Sequence, residues 1–399
     1  MSTLLRGFDL VLTMDADGGE GPLGAIEGGS IVVDNGRIAW VGDADSAPAA
    51  DEAIEFSGGI GMPALVDCHT HAVWDGSRAD EWRRRLAGED YSAILEAGGG
   101  ILSTVRDTRA APLATLTEGA RQRLAAMRQK GVGTVEVKSG YGLSVEAERK
   151  CLQAAKAAGD LAYVRVLTTF LGAHTVPAEH RGNRTAYVDE VIERQLPAVR
   201  DVADFIDVYV DRGAFTVDEG RRILQAGKDA GLGVRIHAEQ VQFTGAAAMA
   251  AELGALSADH LERIDDAGIE ALAASGTVAV MLPGAMLYLR DPAPPTAKLR
   301  AAGVPMAVAT DLNPGTSPVD DLWTCATLSC LTMGLTVEET LRGITVEAAR
   351  ALGRSDLGIL KTGAIADVIR VVARPGWRLD PAALIQPMGA PHVRWAHTA

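Results

Sequence analysis

From about residue 60 to residue 313, short apolar runs alternate with Ala/Glu/Arg-rich stretches, and this alternation limits the fold of the 399-residue chain more than any other feature. The runs are "ALVDCHTH" (64–71), "GTVEVKSG" (133–140), "YVRVLTTFLGAH" (163–174), "FIDVYV" (205–210), "GVRIHAE" (233–239), "ALSADH" (255–260), "GTVAVML" (276–282) and "PMAVATDLN" (305–313). Segments between them, such as "VDEGRRILQAGKDAG" and "GAAAMAAELG", carry apolar residues at helical spacing. Several end in Gly just before the next run, as helix C-termini often do. Eight strands, each followed by a helical stretch, predict an α/β fold, a (β/α)8 TIM barrel, here over residues 59–357. A doubly wound open sheet fits eight strands less well, and no GxGxxG follows the first.

The two ends of the chain have a different period. "FDLVLTM", "GSIVVDNGRIAWVG" and "AIEFSGG" read as short strands, with a hairpin turn at "DNGR". "LGILKTGAIADVIRVV" and "HVRWAHTA" return to strand character. The simplest reading is one small β-sandwich domain built from residues 1–58 and 358–399. The proline-rich "RDPAPPTAKLR" (290–300) reads as a rim loop after the seventh strand.

Apolar residues make up 47% of the chain and charged residues 23%, as in a soluble globular protein. The net charge of -14 argues against nucleic acid or an anionic membrane as partner, since phosphate binding needs a basic surface. It leaves room for a small anionic substrate, which needs only a local cation. The N-terminus lacks a basic segment followed by an unbroken apolar one, so no signal peptide is expected, and no run is long enough for a membrane span. Four cysteines without a CxxC pattern suggest a reduced, cytoplasmic location.

In this type of barrel the active site lies at the C-terminal ends of the strands. His69 and His71 end the first run, His174 the third and His260 the sixth; His237 lies near the end of the fifth and Asp311 near the end of the eighth. Five of the eight histidines thus converge on one face, while His180, His392 and His397 fall outside the pattern. Residues two apart on a strand point the same way, so His69 and His71 share a face and Cys68 turns away to pack against a helix. Histidine nitrogens with a carboxylate suit zinc or iron, and a catalytic ion of this kind lowers the pKa of its water. Asp311 could hold the proton that the water loses, and His260 could orient the nucleophile or polarise a carbonyl. Lys138, in "VEVKSGYG", reads as structural or ion-paired.

With these residues the chain resembles the amidohydrolase superfamily of metal-dependent hydrolases. It is most similar to the branch that opens the ring amide of 4-imidazolone-5-propanoate, giving N-formimidoyl-L-glutamate, in histidine degradation. The matching stretches are "DCHTHAVWDGSRADEWRRRLAGEDY", "EAGGGILSTVRDTR", "VEVKSGYGL", "FLGAHTVP", "SADHL", "AVMLPGA" and "ATDLNPGTSP", in order along the barrel. The resemblance implies one zinc or iron ion per subunit on His69, His71, His237 and Asp311, with His260 as a catalytic group. It implies substrate contacts from Arg78, Tyr141 and His174, product contacts around Asn313, Gly315 and Thr316, and a cytoplasmic homodimer. The residue chemistry agrees at Arg78, which lies just past the metal histidines, where its guanidinium could meet a carboxylate tail bidentately. The competing assignment for Arg78 is an ion pair with Asp80 or Glu81.

Two departures stand out. Cys68 occupies a position where the family commonly has proline. Gln240 stands three residues past His237, where some relatives carry Glu; a glutamine can hold substrate by hydrogen bonds but cannot shuttle a proton. Metal-dependent deaminases of nucleobase-type rings use a Glu at that position, so Gln240 argues against them. A non-catalytic barrel would be expected to have lost metal ligands, and all four are present.

Overall fold

The computed structural model describes residues 1–89, 99–372 and 380–399. Asp90, Tyr91 and residues 96–98 of the family-like stretches lie outside the described residues, as do residues 373–379 of the C-terminal segment.

Eight parallel strands follow one another around a single sheet: β1 (Leu65–Asp67), β2 (Val132–Lys138), β3 (Arg165–Ala173), β4 (Phe205–Val210), β5 (Gly233–Ala238), β6 (Ser257–His260), β7 (Val278–Met281) and β8 (Met306–Val308). Their residues are almost all buried, as expected for strands covered on both faces. The register sets the height of the site. Tyr209 of β4 pairs with His237 of β5, and Ala238 with His260 of β6.

β1 and β8 are much shorter than the apolar runs that contain them. Beyond Val308 the chain turns, with Asp311 at φ +51°. The two ends nevertheless meet: Asp311 N donates to His69 O at 3.0 Å and His71 N to Leu312 O at 2.9 Å, on either side of a Thr70–Leu312 bridge. These contacts close the barrel with irregular backbone and place two expected metal ligands beside a third. The helices between strands begin with local caps, such as the Thr216/Glu219 capping box before Val217–Asp229 and Ser144 before Val145–Ala162. The proline-rich stretch is not wholly a loop. Pro294 and Pro295 lead into a short helix at Thr296–Ala301, as proline at a helix start favours.

The chain ends form two further sheets. One pairs Arg37–Asp43, Gly29–Asp34, Ser2–Arg6 and Glu52–Glu55; the other pairs His392–His397, Val368–Val372, Ile60–Pro63, Leu10–Leu12 and Ala25–Glu27. The hairpin turns at Asn35 and Gly36, both at positive φ (48° and 72°). Leu5, Val11, Ile31 and Val33 from the N-terminal end share a core with Leu360, Ala366 and Val368 from the other. Ile60–Pro63 belongs to this sandwich, and Ala64 alone separates it from β1. The metal-site strand is thereby tied directly to the terminal domain.

Candidate active site

His69, His71 and His237 bring one ring nitrogen each to within 4.8 Å of the others, all three side chains buried. Asp311 Oδ1 lies 3.5 Å from Nε2 of both His69 and His71, and the Nε2 atoms of His71 and His237 are 3.4 Å apart. His69 Nε2 is buried without a hydrogen-bond partner among the described residues. A buried ring nitrogen without a partner, set beside a carboxylate and two further imidazole nitrogens, is what a metal ion would satisfy. The residues present therefore fit such an ion.

A second layer of charge fixes these rings. His69 Nδ1 donates to Asp259 Oδ2 at 2.6 Å, and His237 Nδ1 to Asp207 Oδ1 at 3.0 Å, so in both rings Nε2 turns toward the cluster. Lys138 Nζ lies 2.9 Å from Asp207 and 3.0 Å from Glu136, and Arg235 Nη2 3.2 Å from Asp259. Glu136 also accepts from Thr169 Oγ1 and from Thr70 N at 3.2 Å. Arg235 donates in addition to the carbonyl of Cys68 at 2.6 Å. Lys138 is thus ion-paired, and Cys68 is buried in a cluster that includes the Val346–Ala351 helix. Asp67, Glu136, Asp207, Asp259, Glu262 and Asp311 are buried here with only Lys138 and Arg235 as buried basic side chains among the described residues, an acid-rich setting that favours a bound cation.

Burial, reinforced by nearby cationic and imidazole groups, holds His69, His71 and His237 well below the usual histidine range. They are neutral at physiological pH, as ligation requires. Burial raises Asp311 to about 7, with His260 as the main opposing influence. Burial also works against charge on His260, but Glu262, Asp311 and Asp259 outweigh it and leave that imidazole above its usual value. Glu239, His260, Leu261 and Asp311 all have positive φ, so strained backbone gathers around the site.

Beside the cluster, the His174 ring stacks on His71 with centroids 4.9 Å apart, and Tyr141 lies 5.8 Å from His71 and 5.5 Å from His174. His174 Nδ1 donates to Gly140 O at 3.1 Å. With its pKa lowered to about 4 by burial, its Nε2 is left as an acceptor. Glu148 holds the loop carrying Gly140 and Tyr141 by accepting from Gly140 N, Gly142 N and Leu143 N at 2.7–3.1 Å. Tyr209 OH donates to Gln240 Oε1 at 3.0 Å, which turns the amide NH2 the other way.

Arg78 combines features of both sequence readings. Its Nε lies 2.6 Å from Glu81 Oε2, with both side chains mostly buried, so the ion pair exists but is not a surface one. The same guanidinium rests on Gly315, where an added methyl would lie 2.6 Å from Nη1. Asn313 makes its polar contacts within its own loop. Its Nδ2 donates to Asp311 O at 2.7 Å, and its Oδ1 accepts from Gly315 N at 2.9 Å and Thr316 N at 2.7 Å. The amide shapes the loop that presents Asp311 and Gly315. His180 pairs with Glu190, His397 donates to Ala366 O and His392 lies in the terminal sheet, all apart from the cluster.

Sequence reasoning missed the second layer: Glu136, Asp207, Arg235 and Asp259. The signal was there, since each is a charged residue inside an otherwise apolar strand of a fold that buries both sheet faces.

Known proteins sharpen the picture. Residues 60–386 match the amidohydrolase family. Imidazolonepropionase of Cereibacter sphaeroides is 48% identical over 369 residues, covering 90% of this chain and 93% of that protein. Imidazolonepropionase of Caulobacter vibrioides is 48% identical over 374 residues, covering 92% of each. Among solved structures, a triazine hydrolase variant superposes with TM-score 0.74 at 20% identity, covering 100% of this chain and 93% of its own. An adenosine deaminase from Xanthomonas campestris with bound zinc gives TM-score 0.71 at 18% identity, covering 98% and 90%. At that identity the two structures speak to the fold alone. No helix among the described residues is long and apolar enough to cross a membrane.

Proposed function

The chain belongs to the imidazolonepropionase group of the amidohydrolase family, and on that premise we propose that it hydrolyses the ring amide of 4-imidazolone-5-propanoate to N-formimidoyl-L-glutamate. The observation that carries the reading is the convergence of His69, His71, His237 and Asp311, with Arg78 seated on the Gly315 loop that follows Asp311. The four are assigned as ligands of one zinc or iron ion, which would supply Lewis acidity and lower the pKa of a water molecule.

The chain's own groups do the rest. Arg78 holds the propanoate through Nη1 and Nη2, while Nε stays with Glu81. Tyr141 and the Nε2 acceptor of His174 flank the ring. Gln240, its Oε1 engaged by Tyr209, donates its NH2 to an acceptor on the substrate and moves no proton. Asp311 takes the proton of the attacking water and passes it to the ring nitrogen as the C–N bond breaks. His260 donates from Nε2 toward the carbonyl oxygen as negative charge develops there. Gly315 and Thr316 line the product side, with Asn313 holding their loop. The four cysteines are free, which supports a reduced, cytoplasmic setting, and the reading carries a homodimer, to be checked by light scattering. Turnover of 4-imidazolone-5-propanoate by protein purified with its metal is the expected result. A metal-loaded protein that leaves this substrate intact would refute the assignment.

A further inference from the structure

Glu262 lies two residues past His260, with side-chain exposure of 1%. Neither carboxylate oxygen has a hydrogen-bond partner among the described residues. A carboxylate removed from water without donors is costly, so a fold that keeps one needs a reason. The group it faces is His260 Nδ1, 3.8 Å from Oε1, which is itself buried and unpartnered.

The backbone is bent to make this approach. His260 and Leu261 both adopt left-handed conformations, at φ +81° and +71°. Leucine gains nothing there, and such positions persist only where the surroundings enforce them. They are enforced here: Leu261 N donates to Ala238 O at 3.1 Å and Arg263 N to Glu239 O at 2.8 Å. Across this left-handed pair His260 Nδ1 and Glu262 Oε1 stand 3.8 Å apart. Neighbouring rings show the finished form, since Asp259 and Asp207 already hold His69 and His237 by Nδ1 at 2.6 and 3.0 Å.

We infer that Glu262 is a positioning residue for His260: its carboxylate accepts from Nδ1–H as substrate binds and fixes the ring with Nε2 toward the reacting carbonyl. Contacts of this kind are often long before substrate arrives and tighten with it. The inference rests on the proposed ring-amide hydrolysis and on the role assigned there to His260.

The test is Glu262→Gln in the metal-loaded enzyme, made in the wild-type and the His260→Ala backgrounds and assayed with 4-imidazolone-5-propanoate. The expected result is a fall in kcat on the order of 10²-fold with little change in KM or metal content. The melting temperature should hold or rise, because an amide replaces a carboxylate without donors. Glu262→Asp should recover part of the lost rate. In the His260→Ala background Glu262→Gln should cost nothing further, since it acts only through that ring. Wild-type kcat in Glu262→Gln, the same fractional loss in both backgrounds, or a variant that fails to fold would overturn the inference. If Glu262→Gln fails to fold, a fully active Glu262→Asp would add that the carboxylate's role is structural. A wild-type enzyme inactive on this substrate would instead sink the functional reading, and this inference with it.

Discussion

The two ends of the active site are built differently. At the metal end, His69, His71 and His237 sit at or just past strand ends, and His69 and His237 are each gripped from behind by a buried carboxylate. Those carboxylates are held in turn by Lys138 and Arg235. At the end proposed to hold the substrate's carboxylate tail, Arg78 comes from a loop, shares its guanidinium with Glu81 and leans on the backbone of another loop at Gly315. The contrast follows a general division of labour: reactive groups need the rigidity of the sheet, and substrate preference can be changed in loops without touching the chemistry. It also predicts that damage at the metal end removes both metal and rate, whereas damage at the tail end weakens substrate binding.

The largest effect is expected from His237→Ala, which should abolish tight metal binding and bring turnover below detection. Metal analysis showing near-stoichiometric metal and normal turnover would remove His237 from the ligand set. One layer back, Asp259→Asn keeps the shape but weakens the grip on His69 Nδ1, and should cost roughly 10–100-fold in metal affinity or activity. Titration of the apoprotein would measure it, and an unchanged affinity would mean that the buried layer serves only stability. At the tail end, Arg78→Ala should raise KM by roughly 10–100-fold with kcat nearly kept, the range for losing a charge-assisted hydrogen bond. Steady-state kinetics with KM unchanged would leave Arg78 as Glu81's ion-pair partner and nothing more. Between the ends, Gln240→Ala should lower activity with metal still bound; loss of metal would place Gln240 among the supports of a ligand.

The smallest effect concerns protons. Asp311, raised to about 7 by burial, is mostly protonated at pH 6 in the metal-free protein and ionised at pH 8.5. Metal binding needs the ionised form, while the three histidines are already neutral. Metal uptake by the wild-type chain at pH 6 should therefore release more protons than uptake by Asp311→Asn, and at pH 8.5 the two should release the same, since the proton of a metal-bound water is common to both. Calorimetry in buffers of different ionisation enthalpy would detect it, and equal release from the two proteins at pH 6 would contradict it.

The same contrast explains what could be read from the sequence. The repeat of eight apolar runs announced the barrel, and the histidines at their ends announced the metal end, because strand periodicity and strand-end position are local properties. The pairing of Asp207 with His237 and of Asp259 with His69 spans 30 and 190 residues and depends on which strands become neighbours. The loop end was harder still. Arg78 was proposed on its chemistry, but its simultaneous contact with Glu81 and Gly315 is a matter of tertiary geometry. Asn313 shows the same limit: its amide closes on its own loop, which residue type alone does not reveal.

The most direct test of the account is a metal titration of the apoprotein, with turnover of 4-imidazolone-5-propanoate followed at each step. One ion on His69, His71, His237 and Asp311 predicts activity that rises in proportion to added zinc or iron and stops at one equivalent per chain. Turnover in the metal-free protein, or a break at two equivalents, would contradict it.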